Sequence, residues 1–376
     1  MKLGMKKKLF YILCILLLGI LTACSEAQDP MAELLKDPYG DYQETGGEIA
    51  FVFDGVIEDG SYNEAIYDGI RMYALAAGIS FSNYGTEEGS PKNHVAAIEH
   101  AVLSQAGIIV CAGYDFQEAV VELQGEYPEI SFLLIDGSLE DGEDGKDGKV
   151  KLQKNVHCVL FREEESGYLA GYMAVLEGYR RLGFLGGEKE PSMTRYGYGY
   201  LQGIEDAAQD MGLEDVTVNY YLGSFLPMQE TKELAQQWYE AGTEVIFVCG
   251  DSLYEAVLEA AKEKDGMLIG AGRDQSGISK RFLTSAIKDI TKGVIISLDD
   301  YYASGRKWSK DFAGKCVRYG ASNRCTGIPV QDTEWRFQNV TREDFLGIYQ
   351  RIRSGEIKVF DEMKQKPHLD IIVNYF

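Results

Sequence analysis

From Glu48 onward the chain alternates short, near-continuous apolar runs with stretches of helical periodicity, and this rhythm dictates the fold class. The runs IAFVFDG (49–55), ISFSNYG (79–85), GIIVCAG (107–113), SFLLID (131–136) and VHCVLF (156–161) read as strands, with helical patterns at 62–77, 91–105 and 116–126. A strand that is apolar on both faces must be covered on both, which means a parallel sheet between two layers of helices. The rhythm then starts again with RLGFLGG, VTVNYYLGS, EVIFVCG and MLIGAG. The expectation is an α/β protein of two doubly wound, Rossmann-like domains in series, over 48–160 and 161–274. A strand-like FLTSAIKD, helices at 290–312 and 343–353 and a terminal IIVNYF are then left over. They predict hinge crossovers, with about 275–315 returning to the first lobe and about 316–376 to the second.

The ends and the charge narrow the setting. Lys2, Lys6, Lys7 and Lys8 precede an apolar Leu9–Ile20 stretch that is short for a membrane span of roughly 20 residues. The following LTAC, 21–24, resembles a bacterial lipobox: residues 1–23 form a lipoprotein signal peptide, Cys24 carries the lipid, and 24–47 form a tether on the outer face of the cell membrane. The formal charge of −22 opposes binding to nucleic acid, which needs a basic surface. Beyond Cys24 the cysteines are Cys111, Cys158, Cys249, Cys316 and Cys325, an odd set without zinc spacing. Cys111 and Cys249 fall in strands as buried thiols; Cys316 and Cys325 flank a short loop and are open to pairing. The four histidines are scattered and read as surface or structural residues.

In doubly wound sheets a ligand sits beyond the carboxyl ends of the strands, so with two lobes the site is the cleft between them and closure is a hinge motion. The first βα turn, FVFDGVIEDGSYNEAIYDGI, has no glycine-rich phosphate cradle. It carries Asp54, Glu58, Asp59, Tyr62 and Asn63 instead. Other strand ends supply Tyr114 with Asp115, Asp136, Ser224 with Phe225, Phe247 to Asp251, Arg273 with Asp274, and Lys288. Carboxylates accept from amine and hydroxyl groups and aromatic rings stack on flat ligands. The set suits an uncharged planar molecule with hydroxyls and repels phosphate. There is no G-x-G-x-x-G turn, P-loop, G-x-S-x-G elbow or metal-ligand cluster. No enzyme, cofactor or metal site is expected.

These segments together resemble the basic membrane protein family of lipoproteins, type I periplasmic-binding-protein-like components of ABC transporters that bind purine or other nucleosides. The resemblance rests on DGVIEDGSYNEAIYDG, SFLLID, NVHCVLFREEESGYLAGYMA, RYGYGYLQG, GRDQ and LTSAIK in family order, from Glu48 to about Lys310. It implies that Asp54 and Asp136 bind the base, that Tyr62 (in place of the family's Phe) and Phe247 stack on it, that Asn63 is the motif asparagine, and that Lys288 contacts ribose hydroxyls. It implies a monomer that delivers a nucleoside to an ABC permease. Where the family reads Gly-Val-Asp-x-Asp-Gln this chain reads GAGRDQ, so Gly272 replaces an aspartate that grips the ribose and Asp274 stands two residues on. A ligand-sensing receptor coupled to a membrane kinase, or a binder of a sugar or other small solute, are the alternatives on the same fold.

Overall fold

The computed structural model describes residues 48–58, 61–86, 89–137, 151–223, 229–250, 252–332, 334–361 and 365–376. Residues 1–47, expected to hold the signal peptide, Cys24 and the tether, lie outside them, as do Asp59, Ser224, Phe225 and Asp251. The elements of the first lobe begin β1 (Ile49–Asp54), α1 (Tyr62–Ala77), β2 (Phe81–Thr86), α2 (Pro91–Leu103), β3 (Ile108–Ala112), α3 (Gln117–Leu123), β4 (Ser131–Ile135) and β5 (Val156–Phe161). The second lobe begins α4 (Glu163–Glu177), β6 (Arg181–Gly186), α5 (Pro191–Met211), β7 (Thr217–Leu222), α6 (Gln229–Glu240), β8 (Val245–Cys249), α7 (Leu253–Lys264), β9 (Met267–Gly272) and β10 (Phe282–Lys288). The chain ends with α8 (Ile290–Ala303), β11 (Lys315–Tyr319), β12 (Thr326–Gly327), α9 (Arg342–Arg353) and β13 (Ile372–Tyr375).

The sheets run β11-β5-β4-β3-β1-β2 and β12-β10-β9-β8-β6-β7-β13. Both contain the 2-1-3-4-5 order, so each has its switch point between its first and third strands. Along β1, Ile49, Phe51 and Phe53 join one core cluster while Ala50 and Val52 join the other. That is the period-2 geometry of a strand buried on both faces. Helix α1 starts where the Ser61 hydroxyl accepts the Glu64 N–H and stops at a left-handed Gly78, the residue with no Cβ penalty there.

The sheet pairing differs from the sequence expectation in one respect that matters. Strand β10 pairs with β9 in the second sheet, and β11 pairs with β5 in the first, so 282–288 belongs to the second lobe and 315–319 to the first. The chain therefore changes lobe between β5 and α4, between β10 and α8, and between β11 and β12. Periodicity identified β10 but not β11, whose residues are mostly half-buried; nor does it carry information on which of two similar sheets will accept a strand. Cys316 lies on β11 and Cys325 is buried in the first lobe's core; no disulfide joins the described cysteines.

Helices α4 and α5 make the tightest packing in the second lobe. A Cβ on Gly167 would overlap the Tyr196 carbonyl, on Gly171 that of Tyr200, on Gly199 that of Glu164 and on Gly203 that of Tyr168. Glycines four apart lie on one helix face, and here the two glycine stripes face each other with backbones in contact. The same spacing ties the pair by side chains, with the hydroxyls of Tyr168 and Tyr172 donating to Asp206 and Asp210 at 2.7 Å each. Gly199→Ala should cost about 2–4 kcal/mol in urea unfolding, because neither backbone can retreat. Gly347→Ala, on an exposed face of α9 where an added Cβ meets nothing within 4 Å, should instead stabilise by up to about 1 kcal/mol from helix propensity.

Candidate ligand-binding site

At the first lobe's switch point the Asp54 carboxylate is already held. Thr86 Oγ1 donates to one oxygen, and His94 Nε2 lies 2.7 Å from the other. His94 is buried, its ring 4.1 Å from that of Phe116. The Asn63 amide donates to the carbonyls of Asp54 at 2.8 Å and Val56 at 3.0 Å, fixing the turn after β1. Tyr62 reaches across the strand ends and donates its hydroxyl to the Ile135 carbonyl at 3.2 Å, one residue before Asp136. Asp115 is raised above the usual carboxylate range by partial burial and by the charge of Asp54. Tyr114 faces Glu190, just before α5 in the other lobe; burial and that carboxylate push its hydroxyl up to about 12.

Deeper between the lobes lies a buried chain of charges. Lys288 Nζ, at the end of β10, donates to Asp136 Oδ2 at 2.6 Å and to Glu163 Oε1 at 3.2 Å. Arg195 Nε, from α5, donates to Glu163 Oε2 at 2.6 Å. The ammonium also stands 5.4 Å over the Phe161 ring, a favourable cation–π geometry. Burial raises Asp136 despite its lysine. Burial would raise Glu163 too, but Arg195 and Lys288 together hold it below the usual range. Asp136 has a left-handed backbone, φ 56, which Asp tolerates better than most residues. Its second oxygen, Oδ1, is buried and meets no donor among the described residues.

The first turn of α4 also knots the three lobe changes together. Glu165 accepts from the Ala321 N–H at 2.6 Å and the Thr326 hydroxyl at 2.9 Å. Ser166 Oγ donates to the Ile287 carbonyl at 2.5 Å and accepts the Gly327 N–H at 3.1 Å. Three acidic residues in that turn suit a helix N-terminus. Glu164, however, is buried with one oxygen unpartnered among the described residues, and burial followed by the neighbouring Glu163 pushes it up to about 8.

Two similar lobes, three lobe changes and a polar cluster between the strand ends are the architecture of a solute-binding protein. Residues 47–362 match the Bmp model, described as "ABC transporter substrate-binding protein PnrA-like". The chain belongs to the Bmp family. It is 28% identical over 297 residues to basic membrane protein B of Borrelia garinii, covering 75% of this chain and 80% of that one. In fold it is similar to an ABC transporter solute-binding protein of Aeropyrum pernix (TM-score 0.62, 22% identity, 82% of this chain and 92% of that one). A solute-binding protein from Conexibacter woesei gives TM-score 0.65 at 18% identity, with 83% and 98% covered. Bmp proteins are extracytoplasmic solute-binding components of ABC transporters and not enzymes, so a small-molecule ligand and a permease partner follow from membership. Among the described residues no helix is long and apolar enough to cross a membrane.

Within this Bmp fold, the residues expected at the site divide. Asp54, Tyr62, Tyr114, Asp136 and Lys288 do gather at the strand ends. Phe247 does not: it is fully buried on β8 among Phe184, Tyr196 and Tyr200, so it packs the second lobe's core and presents no face to stack on. Asn63 spends its amide on its own loop. Asp274 likewise closes its own turn, accepting from Ser276 N at 2.9 Å and Ser276 Oγ at 2.7 Å. Gly272 has φ +79 with open space where a Cβ would go. Sequence reading missed His94, Glu163, Glu190 and Arg195. Only the run of three glutamates opening α4 marked any of them.

Glu164→Gln gives a signed test of the burial at the start of α4. A carboxyl whose folded pKa is raised keeps its proton in the folded state and loses it in the unfolded one, so native stability falls as pH rises from the ordinary value of 4.5 toward about 8. The glutamine variant escapes this loss. It should equal the native chain near pH 4 and exceed it by several kcal/mol at pH 8, since each tenfold change in proton affinity is worth about 1.4 kcal/mol. Urea unfolding across that range measures the difference.

Proposed function

We propose that this chain is a membrane-anchored lipoprotein that binds a nucleoside, or a closely related uncharged planar solute with hydroxyls, in the cleft and delivers it to an ABC permease. The observation that carries this reading is Asp136. A buried carboxylate oxygen with no donor costs several kcal/mol, and this one belongs to a first-lobe carboxylate paired with the second lobe's Lys288, one residue beyond the carbonyl that holds the Tyr62 hydroxyl. An amine or hydroxyl of a flat ligand satisfies it. Lys288 offers one cation already shared by two carboxylates. Asp115, Glu188 and Glu190 crowd Tyr114, and Asp54 lies near Asp115, so a phosphate there meets repulsion.

The test is a thermal-shift screen of nucleosides, free bases, sugars and amino acids, followed by calorimetry. A nucleoside should raise the melting temperature through mass action. Its 5′-monophosphate should bind at least about tenfold more weakly, since one like-charge contact is worth about 1–3 kcal/mol in such a site. Asp136→Asn should cost about 1.5–3 kcal/mol of affinity, the worth of a charged hydrogen bond. Equal binding of nucleoside and monophosphate, or an unaffected Asp136→Asn, contradicts the reading.

The anchor is tested separately. Two acyl chains hold a protein stably at a membrane where one does not, and the residue that would bear them is Cys24. Cys24→Ser should accumulate as an unprocessed precursor on gels and in intact-mass spectra. A processed chain with a bare thiol at Cys24 contradicts lipidation.

A further inference from the structure

Glu163 and Arg195 do not reach the cleft, being 0% and 4% exposed, yet they complete the charge balance of the pair that does. Two carboxylates, Asp136 and Glu163, face two cations, Lys288 and Arg195, in one buried chain running from the first lobe's β4 to the second lobe's α5. We propose that Glu163 and Arg195 are positioning residues that set, in opposite directions, how strongly Lys288 claims Asp136 and hence how available Asp136 is to the ligand. The proposal rests on the reading that the ligand's donor lands on Asp136.

The Lys288 ammonium divides its donors between Asp136 and Glu163. While Glu163 is charged it keeps part of that ammonium for itself, and Asp136 retains acceptor capacity for a ligand. Arg195 occupies the other oxygen of Glu163 and so limits Glu163's hold on Lys288. Neutralising Glu163 delivers Lys288 wholly to Asp136. Neutralising Arg195 does the reverse and leaves one excess negative charge in a space closed to solvent.

The groups facing Asp136 fix the sign. They are Lys288 from β10, Glu163 from α4, and Arg195 with the buried Tyr196 from α5; Glu164 lies behind Glu163 and acts on Arg195. Glu163 opposes ionisation of Asp136, and Lys288 and Arg195 favour it. Only ionised Asp136 is a pure acceptor, so ligand should be lost as pH falls through its midpoint. Removing Glu163's charge should carry that midpoint to lower pH, and removing Arg195's charge should carry it to higher pH.

The experiment titrates the full chain, labelled with [γ-13C]aspartate and without ligand. Asp136 is assigned as the resonance missing in Asp136→Asn. The midpoint should fall by about one pH unit in Glu163→Gln and rise by about one in Arg195→Met, the size of one nearby charge. It should return close to native in Arg195→Lys. The double variant Glu163→Gln/Arg195→Met keeps the cluster neutral, should also lie near native, and serves if either single variant folds poorly. Calorimetry with adenosine as the probe should show the acid loss of affinity moving with each midpoint. Midpoints that move the same way in both single variants, or do not move, overturn the proposal. So do midpoints that move as stated while the adenosine pH profile stays fixed. A native chain that ignores adenosine while the midpoints move as stated refutes adenosine as the ligand and supports the charge coupling.

Discussion

Glu163 takes a guanidinium on one oxygen and an ammonium on the other, with no exposure to solvent. An isolated carboxylate in that position would be prohibitive; with two cations it is charged and holds both of them in place. Each cation arrives on a different element. Arg195 is delivered by α5, whose distance from α4 is set by four glycines and two tyrosine–aspartate bonds. Lys288 is delivered by β10 at the residue where the chain leaves the second lobe. The geometry of the cleft floor therefore depends on helix packing well behind it.

The same turn of α4 that bears Glu163 also bears Glu165 and Ser166, which bind the other two lobe changes. A hinge needs residues that connect the lobes without filling the space between them. Here the backbone strands cross between lobes and the α4 turn cross-links those strands, so the covalent crossings are held in one place. Asp136 on the first lobe meets Lys288 beside this knot, while Tyr114 and Glu190 meet farther out. In the proposed reading, a ligand that engages Asp136 sits beside this knot of lobe crossings.

Much of the fold was legible because parallel strands buried on both faces are near-continuous apolar runs, as in Ile49–Phe53, and because Ser61 and Gly78 mark the ends of α1. The assignment of β10 and β11 to their lobes was not legible: a strand's pattern says that it is buried, not against which sheet. The site was half legible. Asp54, Asp136 and Lys288 sit at strand ends and Tyr62 opens α1 beyond β1, where topology puts a candidate site. Phe247 misled because a strand-end aromatic and a strand-core aromatic look alike when the strand's exact end is unknown. His94 and Arg195 were hidden because they lie within helices, and their partners are distant in sequence by 40 and 32 residues.

In the proposed complex the ligand's donor completes the hydrogen bonding of Asp136 between the lobes. The most direct measurement is a crystal structure of the chain grown with the nucleoside that gives the largest thermal shift. The expected result is a ligand N–H or O–H within hydrogen-bonding distance of Asp136 Oδ1, the Tyr62 ring beside the base, and Phe247 still enclosed in its core. A nucleoside bound elsewhere, or one in the cleft that leaves Asp136 Oδ1 without a ligand donor, would contradict it.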